Sequence, residues 1–375
     1  MRSVQAPRTG DRLARRAASA RGDASTGRRN CAKEHTLMPK SSRSTRSPFG
    51  RLAVGAVTLV VAAPLAACGS GDATSAGSDG SAKITVLRSN GALFEPLYIA
   101  EQQGYFEDAG LDVTIKAGAQ DTSQNAPSVL NGEAQFAMTD SSGFLKGAAK
   151  NMPIRIATGL VSATTKTDPT DGLLVKKNSS IKGFADLEGR TVGLSALGGT
   201  IQFIVEYLVE MEGGDPTKVK FVSLPTTSLT DAATTGKTDA VYSFGAFFAA
   251  GEQAGLRAIG NGMNDLPGIT QGVLFATQKY LSANSATAKK FTDAVAKAIT
   301  YANAHPDAVK AIDKKYTQLP ADYIEKSQIA YYDKNINTTV MRTVITKMHG
   351  YDLLSSAPKD DAIYWDKAPT VTAGS

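Results

Sequence analysis

The chain has 375 residues and a formal net charge of +6, but the charge is unevenly placed. Residues 1–67 carry 13 of the 41 Lys/Arg and 3 of the 35 Asp/Glu, which leaves 28 basic and 32 acidic side chains in the remainder. The leader is therefore +10 and the body −4, so the basic balance argues for no nucleic-acid partner. A body of roughly 300 residues is too long for one ordinary core, and two lobes are expected.

Residues 1–37 are rich in Arg, Ser, Ala and Gly without apolar periodicity and read as unstructured. Met38 is a second candidate start. Arg43, Arg46 and Arg51 form a basic stretch ahead of Leu52–Ala67, an apolar run of 16 residues. That run is short for a membrane span and fits a signal peptide. It ends in Leu65-Ala66-Ala67-Cys68-Gly69, which resembles the bacterial lipobox. Cys68 is then the expected lipidation site, and the body would be anchored on the outer face of the cell membrane. A non-cleaved anchor is the alternative. The other cysteine, Cys31, lies in the leader, so the mature body has no disulfide, Cys metal site or Cys nucleophile. No cofactor and no metal are expected. Residues 69–81, GSGDATSAGSDGS, are a flexible tether.

Folded sequence starts at Lys83. Strands are predicted at 84–89, 111–116, 134–139 and 154–160, with helices at 95–103, 123–131 and 142–150 between them. The rhythm restarts with strands at 173–176, 190–194, 218–224 and 239–243 and helices at 200–211 and 229–236. After a strand at 273–278 the chain is predicted helical over 286–305, 307–315, 321–332 and 337–350. This β-α alternation gives an α/β fold with mixed, mostly parallel sheets and a helical C-terminal part. Residues 83–174 with 274–375 are expected to form lobe I, and 175–273 lobe II. Leu173–Lys176 and Val273–Gln278 are expected to pass side by side between the lobes as a hinge.

Four stretches carry a family resemblance. Pro96–Val113 reads PLYIAEQQGYFEDAGLDV, Leu130–Ala137 reads LNGEAQFA, Asp186–Gly193 reads DLEGRTVG, and Gly236–Val241 reads GKTDAV. In this order they resemble the substrate-binding proteins of ABC importers in the nitrate/sulfonate/taurine and thiamine-precursor group, the SsuA/THI5-like family. The resemblance spans about residues 83–320. It implies a two-lobed, type II periplasmic-binding-protein-like fold that captures a small polar or organic anion between its lobes. It also implies delivery to a membrane permease with a separate ATPase subunit, by a monomer without enzymatic activity. A receptor for a thiamine-precursor pyrimidine is the alternative; less favoured are a pyrimidine-synthase-like enzyme and a ligand sensor. The enzyme relatives depend on a cysteine-rich motif and a histidine, whereas His305 and His349 here both fall in the helical tail.

Ligands of open α/β sheets sit beyond the carboxyl ends of the strands. Those ends supply Arg88, Ser89 and Asn90, then Asp140, Ser141 and Ser142, then Gly198, Gly199 and Thr200, and finally Tyr242 and Phe244. Gly198-Gly199-Thr200 opens a helix whose free N–H groups favour an anion, and the resemblance implies that this turn holds the ligand's polar head. Ser141-Ser142 is either a helix cap or a pair of hydroxyl donors. Arg88 can pair with a carboxylate or sulfonate. Asp140 opposes an anion unless it caps the helix that follows. Phe94, Tyr98, Tyr242 and Phe244 are candidate apolar walls. Tyr242-Ser243-Phe244-Gly245 departs from the family's usual text after Asp-Ala-Val.

Overall fold

The computed structural model describes residues 81–372 except Thr167. The expected signal peptide, the expected lipidation site Cys68 and all of the expected tether but Ser81 lie outside the described residues. No helix among the described residues is long and apolar enough to cross a membrane.

The first sheet begins with β1 (Ala82–Arg88), in which Ile84 and Val86 alternate inward with the β-branched pattern that predicted a strand. Helix α1 (Glu95–Gln102) follows, with proline in its first turn, and ends at Gly104, whose φ of +72° makes the left-handed turn into α2 (Tyr105–Asp108). Then come β2 (Leu111–Ala117), α3 (Ala126–Leu130), β3 (Phe136–Asp140), α4 (Ser141–Ala149) and β4 (Ile154–Ser162). The second sheet is built from β5 (Asp171–Lys176), β6 (Thr191–Leu194), α5 (Thr200–Met211), β7 (Lys220–Ser223), α6 (Leu229–Thr235), β8 (Ala240–Phe244), α7 (Gly245–Gln253) and β9 (Leu256–Ile259). The chain then returns through β10 (Thr270–Thr277) to α8 (Gln278–Ala283), α9 (Ser285–Ala304), α10 (Pro306–Tyr316) and α11 (Ala321–Lys326). The last elements are β11 (Ile336–Asn337), α12 (Thr338–Gly350) and β12 (Thr370–Val371).

The two five-stranded sheets share one plan. The first runs β2-β1-β3-β10-β4, with β1 parallel to β2 and β3 and with β10 antiparallel to β3 and β4. The second runs β7-β6-β8-β5-β9, with β6 parallel to β7 and β8 and with β5 antiparallel to β8 and β9. In each sheet the strand that arrives from the other half takes the antiparallel place.

That plan corrects the expected hinge. Leu173–Lys176 lies in β5 of the second sheet and Val273–Thr277 in β10 of the first, so the two do not run side by side. Both runs are buried central strands, and continuous apolar text cannot tell which sheet a strand joins. The crossings are instead 163–170 and 260–269. They are tied together where the Ala163 N–H donates to Ile269 O at 2.9 Å and the Gly268 N–H to Ala163 O at 3.0 Å.

The tail also differs from expectation. The helix predicted over 321–332 stops at Lys326, and the chain turns back along the edge of β4. Ser162 N–H donates to Tyr331 O and Gly159 N–H to Lys334 O, while Trp365 N–H reaches Ile156 O. These segments cover an edge strand that would otherwise present open backbone groups. Buried Ile156 and Phe275 of the first sheet, Val192 and Leu194 of the second, Phe203 of α5 and Met341 and Ile345 of α12 belong to one apolar cluster. Helix α12 is thus packed into the core shared by both sheets, and its Lys347 pairs with Glu210 of α5. Helix α7 and β9 were not predicted, because Gly245–Gln253 carries five Ala/Gly residues and little apolar periodicity.

Candidate functional site

The carboxyl ends of β1 and β3 lie on one edge of the first sheet, since the two strands pair in parallel at Val86–Phe136 and Leu87–Ala137. The ends of β6 and β8 lie likewise on one edge of the second sheet. Three of the expected residues meet where these edges approach. Asp140 Oδ1 accepts from the Gly143 N–H at 3.0 Å, which makes it the N-cap of α4. The same oxygen accepts from Ser142 Oγ at 2.6 Å and, from the other sheet's side, from Thr200 Oγ1 at 3.0 Å. Three donors thus take up the charge that sequence reasoning set against an anionic ligand.

The glycine turn faces the same helix. A Cβ built on Gly199 would stand 4.0 Å from Ser142 Oγ, and one on Gly198, at φ +72°, 3.3 Å from Lys146 Nζ. Helix α5 has no side-chain cap, so its first-turn amides stay open. The N–H of Gly198 is already taken by Gln202 Oε1 at 2.8 Å, and Gln202 Nε2 donates in turn to Glu206 Oε1 at 2.8 Å. Burial pushes the Glu206 carboxyl up to about 7. Lys146, Gln202 and Glu206 were missed by sequence reasoning. The signal was present: Lys146 lies four residues beyond Ser142, and Gln202 and Glu206 are four apart on a largely apolar helix.

The loop after β1 is self-contained. Ser89 Oγ donates to Ala92 O at 2.6 Å and Asn90 Nδ2 to Gly118 O at 2.9 Å, so both side chains shape the loop. The Arg88 guanidinium lies 4.3 Å above the Phe94 ring centroid and donates through Nε to Tyr98 Oη at 3.1 Å.

Four expectations are corrected. Phe94 is wholly buried and packs edge-on to Tyr98, so it is core and not a wall. Tyr98 is 7 % exposed and stacks on Tyr316, which leaves its ring no free face. Tyr242 is buried and its hydroxyl donates to Asp171, whose carboxyl burial raises to about 6. A buried phenol needs such a partner, and residues 240–243 of β8 are buried on both faces of the sheet. Ser141 Oγ donates to Thr270 O and pins α4 to β10, so it is not open to a ligand. Phe244, by contrast, is 40 % exposed at the end of β8, and Leu197, after β6, is 50 % exposed.

One residue beyond Phe244 a cavity of about 440 Å³ opens, lined by Thr170, Gly245, Phe248, Tyr323 and Gln328 among others. None of the expected site residues lines it. The strand-end cluster is the better candidate. It joins the end of β3 in the first sheet to the start of α5, which follows β6 of the second, by a direct hydrogen bond, whereas the cavity is a surface groove whose rim residues Asp168, Glu252 and Asp322 are exposed.

Comparison with known proteins agrees with this architecture. Over 289 residues the chain is 26% identical to YtlA of Bacillus subtilis, described as a candidate binding protein; the match covers 74% of this chain and 81% of that one. Among solved structures it resembles the periplasmic aliphatic sulphonate binding protein SsuA of Escherichia coli, with a TM-score of 0.63 at 16% identity, covering 76% of this chain and 98% of that one. The desulfurization enzyme DSZB also shares the fold, with a TM-score of 0.53 at 15% identity, covering 76% and 97%. These likenesses establish a periplasmic-binding-protein fold. Residues 92–309 match the NMT1/THI5-like family, more than half of the chain, and the protein belongs to that family.

Proposed function

We propose that this protein is the extracytoplasmic solute receptor of an ABC importer, tethered to the cell membrane through lipid on Cys68. It takes up a small organic molecule between two lobes, each built on one sheet and joined by the crossings at 163–170 and 260–269. One observation carries this reading: the bond from Thr200 Oγ1 to Asp140 Oδ1 closes the edge of one sheet onto the edge of the other at 3.0 Å. Closure of a two-lobed clamp around a solute needs contacts of this kind, made in the closed state and lost in the open one. The ligand is a small organic or polar anion; sulfonates, taurine, nitrate and aromatic acids are the compounds to try, with an aminopyrimidine as the alternative. The closed form then docks on a membrane permease whose ATPase is a separate protein. A catalytic role is not favoured, since His305 and His349 sit in the tail with their ring nitrogens on the carbonyls of Tyr301 and Leu354.

Thermal-shift screening of the full chain against these compounds tests the reading, and at least one is expected to raise the melting temperature at sub-millimolar concentration. No response from any of them sinks it. Thr200→Val removes the bridging hydroxyl while Asp140 keeps two donors, so affinity should fall roughly fivefold, about 1 kcal/mol. Unchanged affinity in titration calorimetry would show that the bridge plays no part in closure. Cys68→Ser should abolish incorporation of labelled palmitate in bacterial cells that express the chain; retained label would refute the anchor.

A further inference from the structure

The glycine turn is tied into α5 by a polar chain separate from the Asp140 cluster. The Gly198 N–H donates to Gln202 Oε1 at 2.8 Å, and Gln202 Nε2 donates to Glu206 Oε1 at 2.8 Å. A primary amide has one acceptor oxygen and one donor nitrogen, so each end of Gln202 is committed by its partner. Residues 198, 202 and 206 are four apart, which lines them up along one side of the helix and the turn before it. Glu206 is 7 % exposed, and its Oε2 has no hydrogen-bond partner among the described residues. An ionised carboxyl so placed is costly. Burial holds it up at about 7, and the Gln202 bond, which favours the ionised form, offsets this only in part. Helix α12 and the turns at 185–187 and 216–218 pack against α5, and their ionisable groups have partners of their own. On α12, Lys347 and Tyr351 both donate to Glu210, one turn beyond Glu206, while Arg342 pairs with Asp360 and His349 meets Leu354 O. Asp186 accepts from the Lys182 and Gly183 N–H groups, and Lys218 donates to Glu188. On α5 itself, Glu212 accepts from the Ala185 N–H. Lys146 of α4 stands at the other end of the chain, beside Gly198.

We infer that Gln202 is a positioning residue for the glycine turn and that Glu206, acting through it, ties capture to pH: solute is held more tightly when Glu206 carries a proton. This rests on the receptor reading above and adds its regulation. Ionised Glu206 strengthens the bond from Gln202 Nε2, polarises the amide and tightens the hold of Oε1 on the Gly198 N–H. It also sets a negative charge six residues, about 9 Å, along α5 from Thr200, where it opposes an anion at the helix start. An anion arriving there favours the protonated acid by the same amount. Binding then takes up a proton near neutrality, and affinity falls as pH rises through about 7.

Leu197-Gly198 is the only Leu-Gly step in the chain. Full-chain protein labelled with 13C-carbonyl leucine and 15N-glycine therefore gives one carbonyl-selected amide cross-peak, that of Gly198. Without ligand, this peak should move between pH 6 and 8 with a midpoint near 7. It should stay still in Glu206→Gln, whose amide oxygen still accepts from Gln202, and in Gln202→Leu, which cuts the chain. Calorimetric titration with butanesulfonate and benzoate at pH 6 and 8 reads the consequence. Wild-type affinity should fall roughly fivefold across that range, and Glu206→Gln should hold one affinity at both. Gln202→Leu should bind roughly tenfold more weakly than the parent at pH 6. A Gly198 peak that does not move in the wild type, or that moves as far in Glu206→Gln, overturns the inference and leaves the receptor reading standing. So does level wild-type affinity for a probe that binds, or parental affinity in Gln202→Leu. Binding of neither probe by the wild type counts against the receptor reading, while the ligand-free peak still decides the link from Glu206 to the turn.

Discussion

Glu95→Gln is expected to stabilise the protein at pH 8 and to flatten its stability between pH 5 and 8. Glu95 opens α1 and is 1 % exposed. Burial, followed by the charge of Asp313 on α10 and a hydrogen bond with it, raises its carboxyl from 4.5 to about 8. Its oxygens are held by the Leu93 N–H at 3.0 Å and by Tyr332 Oη at 2.8 Å. The folded chain therefore keeps a proton on Glu95 in a pH range where the unfolded chain has lost it. Stability is unaffected by this group below about pH 4.5 and declines as pH rises towards 8. The amide oxygen of glutamine accepts from Leu93 as before and the side chain does not titrate; its NH2 takes the place of the oxygen that accepts from Tyr332 Oη, so that phenol has to turn and accept instead. Urea unfolding of the full chain at pH 5, 6, 7 and 8 reads the effect: the wild type should lose stability across this range while the variant stays level, so that the variant is the more stable of the two at pH 8. Parallel curves would mean that Glu95 is ionised in the native state.

Nothing in the sequence around Glu95 announces this, because the partners Asp313 and Tyr332 come from elements more than 200 residues away in the chain. What was legible was local. The alternation of Ile84–Ser89, the apolar stripe of 200–211 and the glycines that end α1 and α6 place their elements within about two residues of where they fall. What was not legible was assignment between sheets. β5 and β10 read as crossings because both are apolar throughout, and only their pairing with β8 and β4 shows that each sits inside a sheet. The candidate site divides in the same way. Asp140, Ser142 and Thr200 were chosen as strand-end residues and do converge, since strand ends are defined by the sequence pattern. Phe94 and Tyr98 follow β1 and Tyr242 lies in β8, yet side-chain direction turns all three inward, and residue type alone cannot report direction. Arg88 shows the converse. Its strand parity is that of a core position, yet it stands one step beyond the core's edge and stays partly exposed.

The largest effect on binding is expected at Gly199. Its φ of −96° is open to any residue, so glycine is not required there by the backbone. What glycine supplies is room: an added Cβ would face Ser142 Oγ at 4.0 Å, across the approach of the α5 turn to the start of α4. Alanine fits that distance, and Gly199→Ala should change affinity less than about twofold. Tryptophan at the same place would have to occupy the space in which Thr200 reaches Asp140. Holding the two edges apart by even one bond length removes that hydrogen bond and the contacts beside it, so Gly199→Trp should weaken binding roughly 100-fold, about 3 kcal/mol. Its stability should stay near that of the parent, because Gly199 lies on the surface where the halves meet and not in either core. Calorimetric titration beside a urea melt separates the two. Full affinity in Gly199→Trp would place the ligand elsewhere, with the groove beside Phe244 next to be tried through Tyr323→Ala. Lost affinity with an intact melt, together with a silent Gly199→Ala, is the pattern expected of a ligand site at this turn.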